Sequence, residues 1–185
     1  MKSYKNISKN KKRHNNEKNC VFFFVKWPFC SIIIEGGFLM KISIACDHGG
    51  YLLKQAIVNY LQENKYDFID HGCYNEDSVD YPIFAKKVCE DIKNGFSDRG
   101  ILVCTTGIGM SIYANKFKGI RAALVFNQEM ASLTRKHNDS NIICFAGKYI
   151  SLNDAKECVE IFMREGFSGE EKHVRRINMI KEQES

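Results

Sequence analysis

The sequence places reactive side chains directly after short apolar segments. Cys104 ends the segment GILVC and is followed by a loop with two glycines, TTGIG at 105–109. Backbone amides in such a loop can bind an anion, and a thiol at the start of a following helix can become a thiolate, the form that acts as base or nucleophile. The loop lacks the third glycine of a dinucleotide fingerprint, because position 112 is Ile, and the lysine of a P-loop. It is either an anion-binding catalytic loop or an ordinary strand-to-helix turn.

Other polar residues follow apolar segments in the same way. Asp47 and His48 come after KISIAC, Asp80-Tyr81-Pro82 after a second segment, and His137-Asn138-Asp139 ends a helical pattern. Each has a structural alternative: Cys104 as a core residue, Asp47 as a helix cap, His137 as a helix-end histidine. We predict that they lie together at one end of a sheet, which favours a site over separate structural roles.

These residues must be positioned by alternating strands and helices. Apolar segments predict strands at 41–46, 67–72, 100–104, 120–126 and 141–147, and helical periodicity predicts helices at 51–64, 81–95, 110–117, 127–138 and 152–164. The first helix is predicted to bury Leu52, Leu53, Ala56, Ile57, Tyr60 and Leu61. Five βα units predict an α/β fold, a single three-layer α/β/α sandwich with a five-stranded parallel, Rossmann-like sheet. Residues 166–185 are expected to form a terminal helix or an arm that packs on a partner chain.

Residues 1–39 differ in composition from residues 40–185. They hold 8 of the 27 basic and 2 of the 22 acidic residues, so the remainder has 19 basic and 20 acidic side chains. A cationic nucleic-acid-binding surface on 40–185 is therefore not expected. The apolar run CVFFFVKWPFCSIII is too short for a membrane helix, and no small-residue cleavage site follows it. We interpret 1–39 as translated leader or disordered extension, since Glu-Gly-Gly at 35–37 can be encoded by a ribosome-binding sequence upstream of the Met40 codon.

The cysteines favour a reduced, cytoplasmic protein. The six after Met40 are widely spaced, form no Cys-x-x-Cys pair and mostly adjoin apolar residues. The same spacing argues against a structural zinc site. We predict that most of them are small core residues.

Four motifs together resemble type B ribose-5-phosphate isomerase, a family that includes the subunits of galactose-6-phosphate isomerase. They are CDHGG at 46–50, DYP at 80–82, ILVCTTGIGMSIYANKFKGIRAA at 101–123 and HNDSN at 137–141. The resemblance covers essentially all of 40–185 and none of 1–39. It implies a homodimer with shared active sites and interconversion of ribose 5-phosphate and ribulose 5-phosphate, a step of the pentose phosphate pathway, without metal or cofactor.

The resemblance also implies roles for individual residues. Cys104 would remove the proton from C2 of the aldose, since Met110 stands where other members have a glutamate base. His137 with Asp47 would open the furanose ring. Thr106 and the loop amides would hold the enediolate oxygen. The loop residues concerned are Thr105, Thr106, Gly107, Ile108 and Gly109, and Tyr81 and Asn138 would contact the sugar.

Phosphate binding would use His48 and three basic residues, Lys148, Lys172 and Arg176. Both lysines stand where the family commonly has arginine, and Lys keeps the charge but not the two parallel hydrogen bonds. Thr105 stands where glycine is frequent and adds bulk beside Cys104. The resemblance puts Cys104, Asp47 and Tyr81 on one subunit, and His137, Asn138, Lys148, Lys172 and Arg176 on the other. Whether dimers pair into tetramers stays open.

Two alternatives remain at this point. The substrate could be a six-carbon sugar phosphate, such as allose 6-phosphate or galactose 6-phosphate. The chain could instead be a non-catalytic sugar-phosphate or nucleotide sensor. Cys104, Thr106 and His137 argue against a sensor, because a sensor needs residues that bind the phosphate but no base that faces C2.

Overall fold

A computed structural model of the protein describes residues 40–184, in which strands and helices alternate along the chain. The strands are β1 (Lys41–Cys46), β2 (Asp67–Asp70), β3 (Arg99–Cys104), β4 (Ala122–Leu124) and β5 (Ile142–Ala146). The helices are α1 (Tyr51–Glu63), α2 (Tyr81–Asn94), α3 (Ile108–Ala114), α4 (Gln128–Asn138), α5 (Leu152–Arg164) and α6 (Glu171–Glu182). The prediction for residues 1–39 lies outside the described residues.

All five strands are parallel and lie in the order β2-β1-β3-β5-β4. Alternate residues point to opposite faces, so Val103 packs with α1 and α5 on one side, while Leu102 packs with α2 and α3 on the other. Both faces are apolar because both are covered by helices. The predicted three-layer α/β/α sandwich is therefore confirmed.

The strand order fixes where a ligand can bind. From β1 the chain crosses to β2 at one edge of the sheet. After β3 it crosses to β4 at the other edge and then returns to β5, between β3 and β4. The crossovers diverge between β1 and β3, and open parallel sheets bind ligands in the crevice at such a point, beyond the carboxyl ends of the strands. Asp47 and Cys104 stand on the two sides of this crevice.

The first helix buries Leu53, Ile57 and Leu61 as predicted, but it differs most from the prediction at two positions of its first turn. Leu52 is 68% exposed, whereas Lys54 is fully buried. The Lys54 Nζ lies 2.7 Å from Asp70 Oδ2, and it faces the Tyr74 ring 5.1 Å from the centroid. Burial of this ammonium is offset by the paired carboxylate and the aromatic face, which a hydrophobicity pattern does not register.

The bounds of the third helix and the fourth strand differ most from the sequence prediction. The helix predicted at 110–117 spans Ile108–Ala114, because Gly107, with φ of 71°, lets the chain turn directly into it. It ends where the Asn115 side chain exchanges two hydrogen bonds with the backbone of Ala122, at 2.8 and 2.9 Å. The strand predicted at 120–126 is limited to Ala122–Leu124.

The cysteine and C-terminal predictions can be compared directly. The six cysteines of the described region are free thiols and buried, as predicted for core residues. The C-terminal segment forms α6 rather than an irregular arm, and His173 and Ile177 are its buried residues. No helix among residues 40–184 is long and apolar enough to span a bilayer.

Candidate active site

Cys104 lies at the carboxyl end of β3, at the mouth of the crevice. Its side chain is 4% exposed, and its Sγ accepts a hydrogen bond from the Gly107 amide at 3.0 Å. This bond holds the sulfur at the start of the glycine loop. A Cβ at position 107 would lie 3.0 Å from the Phe145 carbonyl oxygen, so the glycine also permits close packing of the loop on β5.

The rest of the glycine loop presents hydroxyls and amides beside this sulfur. Thr105 and Thr106 are half-buried, and Thr106 Oγ1 accepts a hydrogen bond from the Ile108 amide at 3.4 Å. The Tyr81 ring lies against Gly109, where an added Cβ would approach Tyr81 Cζ to 2.8 Å. The first turn of α2 is thereby held against the loop.

Asp47 and His48 form the other wall of the crevice. Asp47 is 6% exposed, its Oδ1 accepts a hydrogen bond from the Gly50 amide at 3.1 Å, and burial raises the pKa of its carboxyl group. His48 Nδ1 accepts a hydrogen bond from the Val79 amide at 3.2 Å. In the neutral ring the proton must then be on Nε2, which leaves Nε2–H as a donor.

Lys148 belongs to this same end of the sheet. It follows β5, is exposed, and donates its backbone amide to the Thr105 carbonyl oxygen at 3.2 Å. Within its own chain Lys148 therefore lies at the same end of the sheet as Cys104, whereas the resemblance assigns it, with His137, to the other subunit; that assignment stays a prediction.

His137 and Asn138 lie at the opposite, amino end of the sheet, so the prediction that they share an end with Cys104 is wrong within one chain. The β3–β5 register pairs Gly100 with Ile142 and Cys104 with Ala146. His137 precedes the start of β5, and four residues of strand span about 13 Å. The physical reason is topological: a helix that joins two parallel strands must run back, and α4 therefore ends at the amino end.

Ion pairs hold the segment after α4. Asp139 has φ of 45°, and its carboxylate pairs with Arg121 at 2.8 Å and with Arg135 at 2.9 Å. Arg121 also donates to the carbonyl oxygens of Asn138 and Asp139. Because the guanidinium groups of Arg121 and Arg135 bind this turn, the neighbouring Asn138 is held in an exposed position.

The His137 ring stacks on His173 of α6, a residue that sequence reasoning missed. The ring centroids are 4.2 Å apart and the planes are inclined by 14°. Burial, followed by the neighbouring charges of His137 and Lys172, lowers the pKa of His173, and its Nε2 has no hydrogen-bond partner among residues 40–184. In the sequence, His173 stands close to Lys172 and Arg176, both predicted to bind phosphate. Only the structure shows that its ring stacks on His137.

Lys172 and Arg176 are exposed on α6, also at the amino end. Lys172 Nζ pairs with Glu170 at 2.8 Å, and this hydrogen bond lowers the pKa of Glu170. The predicted site residues thus fall into two groups. The carboxyl end holds Asp47, His48, Tyr81, Cys104, Thr105, Thr106, Gly107, Ile108, Gly109 and Lys148, and the amino end holds His137, Asn138, Lys172 and Arg176.

Comparisons with known proteins agree with this arrangement of elements. The family model described as Ribose/Galactose Isomerase matches residues 42–180. Ribose-5-phosphate isomerase B of Escherichia coli is 39% identical over 142 residues, which cover 77% of this chain and 95% of that protein.

Two solved structures extend the similarity to three dimensions. Ribose-5-phosphate isomerase B of Clostridium thermocellum has a TM-score of 0.76 and 45% identity, covering 78% of this chain and 97% of that one. The Mycoplasma genitalium enzyme, solved with bound ribulose 5-phosphate, has a TM-score of 0.74 and 37% identity, covering 78% and 96%.

Proposed function

The chain belongs to the ribose/galactose isomerase family of sugar-phosphate isomerases, and we propose that it interconverts ribose 5-phosphate and ribulose 5-phosphate. The observation that carries this proposal is the buried Cys104 Sγ, which lies at the crevice between β1 and β3 and accepts the Gly107 amide. A sulfur in this position can serve as the base, with a backbone donor beside it.

In the proposed reaction, the Cys104 thiolate takes the proton from C2 of the open-chain aldose. The C2–H electron pair forms the C1–C2 double bond, and the carbonyl electrons move to O1, giving an enediolate. The proton on O2 then moves to O1, the carbonyl forms at C2, and the same sulfur returns its proton to C1, so no atom or electron is gained or lost. Thr106 and the amides of 105–109 stabilise the oxygen that becomes negative.

Ring opening precedes this transfer and requires proton movement at the furanose oxygen and the anomeric hydroxyl. We assign it to His137, because an imidazole can act as general acid and general base, together with Asp47. Burial raises the pKa of Asp47, which makes its carboxyl group a better proton acceptor than an exposed one. Tyr81 and Asn138 contact the sugar hydroxyls in this assignment.

A complete site then requires two chains. Since Cys104 and His137 lie at opposite ends of one sheet, a two-fold dimer can unite the carboxyl end of one subunit with the amino end of the other. In this proposal His48 approaches the phosphate from the Cys104 subunit, and Lys148, Lys172 and Arg176 approach it from the other, as the resemblance implies. The buried free thiols support a cytoplasmic location for this enzyme.

A substrate panel tests the proposal. The purified full-length chain is assayed on ribose 5-phosphate, allose 6-phosphate and galactose 6-phosphate, and the product is examined by NMR in D2O. We expect the highest kcat/KM on ribose 5-phosphate, with deuterium at C1 of ribulose 5-phosphate to the extent that the thiol exchanges with solvent. Turnover of six-carbon substrates alone would reassign the substrate, and binding without turnover would support a sensor.

A further inference from the structure

Three turns pack against one another at the carboxyl end, and the Thr105 side chain lies against Gly49 of the first. They follow β1, β3 and β5, and they carry His48, Cys104 and Lys148 respectively. Backbone hydrogen bonds join them: Asp47 donates to Val103 at 3.1 Å, and Gly147 donates to Cys104 at 2.8 Å.

Glycines allow these turns to approach so closely. A Cβ on Gly50 would lie 2.5 Å from the Val103 carbonyl oxygen, and one on Gly147 would lie 3.0 Å from the Gly49 carbonyl oxygen. Gly49 differs from both, because a Cβ there would overlap the Thr105 Oγ1 and lie 3.0 Å from the Thr105 Cβ. The closest atoms at position 49 thus belong to a neighbouring side chain, with the Thr105 backbone nitrogen next at 3.2 Å.

Thr105 consequently fills the space between the turn with His48 and the strand end with Cys104. We propose that this side chain sets the substrate length that the site accepts and favours five-carbon over six-carbon sugar phosphates. The proposal rests on the proposed function, in which His48 contacts the phosphate and Cys104 contacts C2. A six-carbon substrate places its phosphate one carbon farther from C2. The Thr105 side chain, between His48 and Cys104, disfavours binding of this longer chain.

The contact predicts a graded effect of side-chain size. Thr105→Ser, Thr105→Ala and Thr105→Gly remove successively more of the filler, and each retains the backbone amide. We expect the ratio of kcat/KM for allose 6-phosphate to that for ribose 5-phosphate to rise along the series, by about tenfold or more at glycine, as for one methylene in a fitted pocket. Thermal unfolding of each variant verifies that it is folded.

Gly49→Ala provides the reciprocal test, because it forces Thr105 to move. We expect kcat/KM to fall on both substrates with Gly49→Ala alone, and to recover in part when Thr105→Gly is added. Should Gly49→Ala not fold, the Thr105 series decides the question by itself.

The outcomes separate the two proposals. An unchanged substrate ratio across the series, in a protein active on ribose 5-phosphate, overturns the role of Thr105 and leaves the proposed function intact. A substrate ratio that changes only in Thr105→Gly, while Thr105→Ser and Thr105→Ala behave like wild type, also overturns the role of the Thr105 side chain. That pattern indicates an effect of backbone freedom and not of side-chain size. Wild-type protein inactive on every sugar phosphate overturns both proposals.

Discussion

At the carboxyl end of the sheet, backbone packing positions the predicted site residues. At the amino end, side-chain contacts position them. Cys104, Asp47 and Lys148 are tied by main-chain hydrogen bonds between turns that glycines bring together. His137 and Asn138 are instead held by a ring stack and by the Arg121 and Arg135 contacts to Asp139.

This difference matches the two proposed tasks. Proton transfer at carbon requires the base and the oxyanion donors to be fixed within tenths of an ångström, which main-chain packing achieves. Ring opening and phosphate binding depend more on charge and protonation, which ionisable side chains supply. Substitutions of the proposed proton-transfer groups, Cys104 and His137, should therefore reduce kcat most, and those of the proposed phosphate contacts on α6 should alter KM.

Loss of the base should have the largest effect. Cys104→Ser should lower kcat about 10²–10⁴-fold while substrate still binds, because a hydroxyl is a far weaker base at neutral pH. Steady-state kinetics and substrate binding by calorimetry measure the two quantities. Cys144→Ala is the matched control, since this fully buried thiol on β5 should be dispensable for turnover. Full activity in Cys104→Ser would refute the assignment.

Alkylation should distinguish the same thiol chemically. Iodoacetamide should modify Cys104 first and abolish activity, with protection by substrate, as mapped by mass spectrometry. Burial raises the pKa of Cys89 to about 12 and that of Cys158 to about 11, so these thiols should react slowly. Inactivation that follows modification of Cys89 or Cys158 would contradict the prediction.

Mixing two inactive variants tests whether the carboxyl end of one subunit and the amino end of the other form one active site. Cys104→Ser and His137→Ala are each expected to be inactive, but a heterodimer has one site with both groups intact. Equal mixing should restore about a quarter of wild-type activity, because half of the dimers are mixed and each has one working site. No recovery after subunit exchange, demonstrated by native mass spectrometry, would place the site within one chain.

Phosphate contacts at the amino end should have a smaller effect, seen in KM. Arg176→Ala and Lys172→Ala should raise KM for ribose 5-phosphate about tenfold, since a charged hydrogen bond is worth about 1.5–3 kcal/mol. Lys172→Arg should leave KM similar or lower it. Arg175→Ala, next to Arg176 and also exposed, is the control. An unchanged KM in Arg176→Ala would exclude α6 from the phosphate site.

The smallest effect concerns the histidine stack. The folded-state pKa of His173 is lowered, so below about pH 6.5 the unfolded chain binds a proton that the folded chain does not. Stability is therefore present above pH 6.5 and is lost as the pH falls toward the lower folded-state pKa. His173→Gln should flatten this dependence in urea unfolding between pH 7 and pH 5. An identical slope in both proteins would show that His173 does not titrate differently on folding.

Local sequence patterns predicted most of the fold because strands and helices depend on periodicity and turn chemistry. The bounds of β1 and α5 agree with the predicted 41–46 and 152–164. Patterns failed where a distant partner decides burial: Lys54 is inside because Asp70 and Tyr74 receive its ammonium group. Leu52 shows the converse, since its place in the apolar pattern did not bury it.

The sequence by itself determined the order of elements, the loop beside Cys104 and the family resemblance, because each depends on residues close together in the chain. Tertiary structure alone decided which end of the sheet each group occupies. Cys104 and His137 are 33 positions apart, and the direction in which α4 returns sets their separation. The His137–His173 stack and the contact of Thr105 with Gly49 likewise exist only once separate elements pack together, because non-local contacts have no counterpart in local periodicity.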